Sequence, residues 1–128
     1  MHVMKMFDLT GKVALVTGGA GRYGRQIVEA LAEAGATVWT ASRTWEKKEE
    51  YAREMQEKGY EVYGDQYDQA SDESIHGLLE RILSKSGKVD ILVNNSALRW
   101  TKGFWSTAEN LNESFAANAT GLIMITRA

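Results

Sequence analysis

Apolar positions along the chain change period several times, and each change marks an element. Residues 12–17, KVALVT, form a short β-branched and apolar run that stops at a glycine cluster. Such a run predicts a strand buried on both faces. From Arg22 the spacing becomes helical. Ile27, Leu31 and Ala34 recur at i, i+4 and i+7, with Val28 and Ala30 beside them, and Gly35 is the expected stop. Residues 37–41 predict a second strand. The stretch 44–58 is crowded with charge around Trp45, Ala52 and Met55 and closes at Gly59, which predicts a surface helix with a narrow buried stripe. Residues 60–67 form a weaker strand, interrupted by Gly64 and Asp65.

The clearest helix comes next. Ser71 is a fitting N-cap, Asp72 and Glu73 complement the positive helix start, and Ile75, Leu78, Leu79, Ile82 and Leu83 share a face before Gly87 ends it. Residues 89–93 predict a fourth, apolar strand. Ser106 with Glu109 makes an S-x-x-E capping box for a last helix running towards Ala128. The order β-α-β-α-β-α-β-α predicts an α/β fold, a parallel sheet wrapped on both faces with right-handed crossovers. No internal repeat or low-complexity segment interrupts it.

The glycine cluster carries the first chemistry. Between the first strand and first helix lie Thr17, Gly18, Gly19, Ala20, Gly21, Arg22, Tyr23 and Gly24, and Gly19, Gly21 and Gly24 satisfy G-x-G-x-x-G in its required context. Missing Cβ atoms let backbone amides approach a pyrophosphate, and the helix N-terminus favours the anion. The alternative is a glycine turn that serves only packing. At the end of the second strand, Thr40-Ala41-Ser42-Arg43 holds no acid for a ribose 2′-hydroxyl and an arginine suited to a 2′-phosphate. Arg22 adds a second cation. The pattern predicts NADP as the preferred dinucleotide, with NAD admitted, against the alternative that Arg43 simply points to solvent.

Composition narrows the setting. At 128 residues the chain fits one domain, 1–128, able to bury roughly two-thirds of its unfolded surface. A net charge of -2 and a pI near 5.7 argue against nucleic acid or an anionic membrane as main partner. With no cysteine and two histidines, disulfides and a metal site are not expected. No apolar run approaches the roughly 18 residues of a membrane helix, and residues 1–12 do not read as a signal peptide. The expectation is a cytoplasmic globular unit with a frayed start.

At Asn94-Asn95-Ser96-Ala97, directly after the fourth strand, and in TGGAGRYG, the chain resembles the N-terminal half of a short-chain dehydrogenase/reductase over residues 7–128. NNSA stands where that family usually has NNAG. Arg22 departs from its commonest glycine pattern, TGxxxGxG, but Thr17, Gly18, Gly21 and Gly24 meet the TGxxGxxG variant. The resemblance implies a Rossmann-type doubly wound parallel sheet, strand order 3-2-1-4, present as its N-terminal part. It implies that Asp68 bonds the adenine amino group with Gln69 against the ring, although Asp68 also suits the start of the third helix. Asn94 would tie the fourth strand to its neighbours, and Asn95, Ser96 and Ala97 would line the cofactor ribose. Asn118 would hold a water in a proton relay and distort the last helix. By spacing it shares a stripe with Leu111, Phe115, Leu122 and Ile125, beside Gly121. There it is either that relay residue or a satisfied core asparagine.

The family's chemistry is hydride transfer at nicotinamide coupled to proton transfer by a tyrosine, with a lysine four residues later and a serine near the substrate oxygen. None of the five tyrosines has lysine at i+4, and all precede the fourth strand. The chain is therefore expected to be a truncated or split-off half without turnover, whose edge at Val89, Ile91 and Val93 invites homo-oligomers. Trp100, Phe104 and Trp105 are candidates for a substrate wall or for that contact. His76 is expected in solvent. Three readings follow: the cofactor half of an NADP-preferring oxidoreductase acting on a carbonyl or alcohol, a stand-alone nucleotide module or pseudoenzyme, and an interaction protein that has lost the ligand.

Overall fold

The computed structural model describes residues 1–97 and 103–128, with the side chains of Trp45 and Lys47 outside the description. Strand β1 (Val13–Thr17) lies between β2 (Thr37–Ser42) and β4 (Ile91–Val93), and β3 (Val62–Gln66) flanks β2. All pairs are parallel, in the order β3-β2-β1-β4 expected from the resemblance. The connecting helices are α1 (Gly24–Glu33), α2 (Trp45–Glu57) and α3 (Asp72–Ser86). After β4 come α4 (Ala108–Phe115), a π-helical segment (Ala116–Thr120) and α5 (Gly121–Arg127).

Alternation along each strand sends side chains to two cores, because successive residues face opposite sides of a sheet. Ala14, Val16, Val38 and Val62 pack against Val28 and Ala32 of α1 and Tyr51, Ala52 and Met55 of α2. Val13, Leu15, Trp39 and Ala41 pack against Ile75, Leu78 and Ile82 of α3 and Ile125 of α5. Each fully buried aliphatic side chain contributes roughly 1.5–3 kcal/mol. In α3, Ser71 accepts from the Ser74 amide at 3.2 Å and Gly87 closes the helix at φ 79°. His76 is exposed beside Asp72, at 3.4 Å.

Several expectations need correction. The first residues are not simply frayed: Val3–Phe7 form an exposed 3-10 turn capped by His2. Helix α1 begins at Gly24, after a turn through Arg22, and its buried centre is Val28 and Ala32 with Ile27 and Leu31 at the margin. Strand β3 runs straight through Gly64 and Asp65, since Gly64 lets the backbone of α2 approach and the Asp65 carboxylate turns out to Arg81 at 2.8 Å. Strand β4 is shorter than 89–93, because the Asp90 carboxylate and amide both bond the backbone of Val13. The cap of α4 is Thr107, whose hydroxyl accepts from the Asn110 amide, while the Ser106 amide closes the preceding turn onto Gly103. Of the last stripe only Ile125 is buried; Leu111 and Phe115 are exposed. Phe104 and Trp105 stack edge to face on each other in solvent, and Trp100 lies outside the described residues.

Candidate cofactor site

A cleft of about 770 Å³ opens at the carboxyl ends of the strands. It lies where chain direction across the sheet switches from β1→β2 to β1→β4, the place at which open α/β sheets take ligands. Eleven of the sequence-predicted binding residues border it: Gly18, Gly21, Arg22, Tyr23, Ser42, Arg43, Asp68, Gln69, Asn95, Ser96 and Ala97. Thr17, Gly19 and Gly24 stand behind it and give it shape.

The glycine loop forms the floor. Gly18 takes φ 67° as its amide bonds the Ala41 carbonyl, and the Gly21 amide turns back to the Gly18 carbonyl at 3.0 Å. A Cβ on Gly24 would meet the Gly18 carbonyl and Gly19, so only glycine lets α1 back this closely onto the loop. Gly19 lies likewise against Thr40 and Val28, and the buried Thr40 hydroxyl has no partner among the described residues. Among the described residues no side chain caps the start of α1 at Tyr23, which borders the cleft, an arrangement suited to an anion. Arg25 steadies the loop. Its Nε donates to the Ala20 carbonyl at 3.2 Å, and its guanidinium lies 4.6 Å from the centre of the Tyr51 ring.

One wall comes from the ends of β2 and β3. The Gln66 side chain donates to the Arg43 carbonyl, and the Arg43 Nε lies 4.0 Å from Asp68 Oδ1. Asp68 borders the cleft, and its carboxylate accepts from the Ala70 amide in the turn before α3. The opposite wall follows β4. The buried Thr17 hydroxyl accepts from the Asn95 and Ser96 amides at 3.0 and 3.1 Å, and Asn95 Nδ2 donates to the Gly18 carbonyl. A Cβ on Gly18 would press on Ser96 and Asn95 and narrow the gap between floor and wall.

Gln69 and Asn94 are both held by side-chain bonds to the last helical stretch. Gln69 is buried with its side chain engaged, accepting from Tyr67 at 2.7 Å and donating to the Ala117 carbonyl at 2.6 Å. Asn94 bonds Thr126 on α5 rather than a neighbouring strand. Asn118 is half buried in the π-helical segment, the local distortion that the resemblance implied, and donates to Ser114 at 3.1 Å.

Two residues at the site escaped the sequence reading. Tyr67 is buried and borders the cleft, and its burial pushes the phenol above its usual range. Lys48 is fully buried, its ammonium donating to the Ser42 carbonyl and, at 2.8 Å, to that of Asp65. The available signal was its place at i−4 and i−7 from Ala52 and Met55, on the apolar face of α2. Burial lowers its pKa to about 8, partly offset by the Asp65 carboxylate. Between pH 8 and about 10.5 the unfolded chain therefore holds a proton that the native chain has lost, so stability rises with pH. The whole shift corresponds to about 3 kcal/mol. Above pH 10 the sign reverses, because burial pushes Tyr51 up to about 12 and it keeps its proton only when folded. Urea denaturation from pH 7 to 11 is expected to show a stability maximum near pH 10; a monotonic fall from pH 7 would contradict the burial of Lys48.

Among the described residues no group of three metal-ligating side chains occurs, and no helix is long and apolar enough to cross a membrane. The family model for short chain dehydrogenase matches residues 12–128. The 3-oxoacyl-acyl-carrier-protein reductase FabG of Aquifex aeolicus (strain VF5) is 36% identical over 121 residues, 93% of this chain and 49% of that one. A solved actinorhodin polyketide ketoreductase with NADPH superposes with TM-score 0.84 at 31% identity, over 91% of this chain and 45% of its own. An NAD+-bound xylitol dehydrogenase superposes with TM-score 0.85 at 27% identity, over 94% of this chain and 47% of its own. The chain spans about half the length of each of these proteins.

Proposed function

The chain belongs to the short chain dehydrogenase family over residues 12–128, and from that premise we propose that residues 1–128 form the dinucleotide-binding domain of an oxidoreductase. It prefers NADP and acts on a carbonyl or alcohol substrate. The carrying observation is the cleft itself, with a glycine floor, an uncapped helix start, and Arg22 and Arg43 on its border without an acid at the end of β2. The bound dinucleotide supplies or accepts the hydride.

The protein's own groups divide the remaining work. Gly18, Gly19, Gly21 and Gly24 bring backbone close to the pyrophosphate, with Thr17 holding the opposite wall and Tyr23 on the rim. Ser42, Arg43 and Arg22 receive the 2′-phosphate. Asp68 takes the adenine amino group, with Gln69 behind it, and Asn95, Ser96 and Ala97 line the ribose. Asn118 holds a water on the proton path from its π-helical position. Exposed Phe115 and Ile123 support self-association.

Titration of the chain with NADPH and NADH, followed by nicotinamide or tryptophan fluorescence, tests the reading. Saturable binding at least about tenfold tighter for NADPH is expected, the difference of one charge-assisted contact. NADH binding as tightly as NADPH would overturn the preference. A folded chain that binds neither would overturn the dinucleotide site.

A further inference from the structure

Lys48 is a cation in an apolar place. It lies in the first turn of α2, wholly shielded from solvent, and its ammonium bridges the Ser42 carbonyl at the end of β2 and the Asp65 carbonyl on β3. The fold accommodates it closely: a Cβ on Gly64 would lie 2.9 Å from the Lys48 carbonyl oxygen. A buried ammonium is costly even when hydrogen-bonded, and an unbranched apolar side chain would fill the same space without that cost. What the ammonium adds is a fixed positive charge directly behind Ser42, which borders the cleft beside Arg43. Being buried, this charge is screened less than a surface one, so part of its field reaches the cleft.

We propose that Lys48 is a specificity-determining residue, holding the Ser42 carbonyl in place and lending its charge to the 2′ end of the cleft so that a phosphorylated ribose is favoured over a plain one. This inference rests on the NADP reading above. Lys48 acts from behind the wall, through Ser42 and through space, and is a positioning residue rather than a contact.

The Asp65 carboxylate acts on Lys48 and takes up part of its charge. Asp65 on β3 is paired with Arg81 of α3 at 2.8 Å, and Arg43 at the end of β2 is paired with Asp68. Lys48, with its pKa lowered to about 8 by burial, loses its charge between pH 7 and 9. A neutral amine still donates two hydrogens to its two carbonyls, so deprotonation removes the charge while keeping the positioning.

The test is the ratio of Kd for NADH to Kd for NADPH, measured by fluorescence titration at pH 7 and pH 9 in the wild type, Lys48→Gln and Lys48→Met. In the wild type the ratio is expected to fall about three- to tenfold between pH 7 and 9, as one screened charge is lost from the 2′ end. Both variants should show the lowered ratio at pH 7 and no pH dependence, with NADH affinity within about twofold of wild type. A wild-type ratio independent of pH, or variants that weaken both dinucleotides equally, would overturn the proposal. The wild-type arm stands even if Lys48→Met does not fold. A wild type that binds NADH at least as tightly at pH 7 identifies instead a failure of the NADP reading.

Discussion

Arg43→Ala is expected to weaken NADPH binding about ten- to a hundredfold while NADH changes by less than about twofold, the loss of a charge-assisted pair of bonds to phosphate. Arg43 would exchange one partner for another. Arg43 is about half exposed and its partner Asp68 lies at 4.0 Å, a geometry worth at most about 1 kcal/mol in water. A dianionic 2′-phosphate offers the guanidinium a stronger partner at small cost, and Gln66 already fixes the Arg43 backbone for it. Fluorescence titration of both dinucleotides reads the difference directly. A variant that loses both affinities equally would assign Arg43 to the wall's architecture rather than to the phosphate.

Gly24→Ala is expected to have the largest effect on the fold and site together. In a helix, alanine for glycine ordinarily stabilises by roughly 0.5–1 kcal/mol. Here the added methyl would enter the Gly18 carbonyl and the Gly19 Cα, both backbone atoms that have no rotamer to change. Relief requires α1 to shift off the loop, which disturbs the packing of Val28 on β1 and β2. A loss of about 3 kcal/mol in urea-unfolding stability, at the upper end of overpacking, should accompany loss of saturable NADPH binding. Unchanged stability and affinity would show that the loop yields and that its closeness to α1 is not required.

Why some of this was legible in the sequence and some was not follows from the range of each interaction. The glycine floor depends on residues 17–24, consecutive in the chain and placed between a β-type and a helical period, so pattern alone locates it. The strand order, by contrast, rests on the family resemblance. The short β4 was hidden because the Asp90 carboxylate takes the amide of Val13, 77 positions earlier, a contact that local pattern does not reveal. The cap of α4 moved by one residue because Ser106 and Thr107 both carry hydroxyls, and only backbone geometry selects Thr107. Lys48 was hidden by its neighbours, since a lysine among glutamates and lysines reads as solvated. Only the meeting of two strand ends beneath α2 gives its ammonium two carbonyls. The exposed Leu111 and Phe115 show the opposite limit, in which helical periodicity identifies a face but not what covers it.

The bond from Gln69 to the Ala117 carbonyl has a mechanical consequence. Gln69 belongs to the turn after β3 that borders the cleft, and Ala117 belongs to the π-helical segment that carries Asn118. Gly121 reinforces the junction, because a Cβ there would enter the Gln69 carbonyl. The turn and the π-helical segment, 48 positions apart in the chain, are thereby tied to one another. Whatever tightens the turn also stiffens the helix, and by reciprocity whatever settles on the helix tightens the turn.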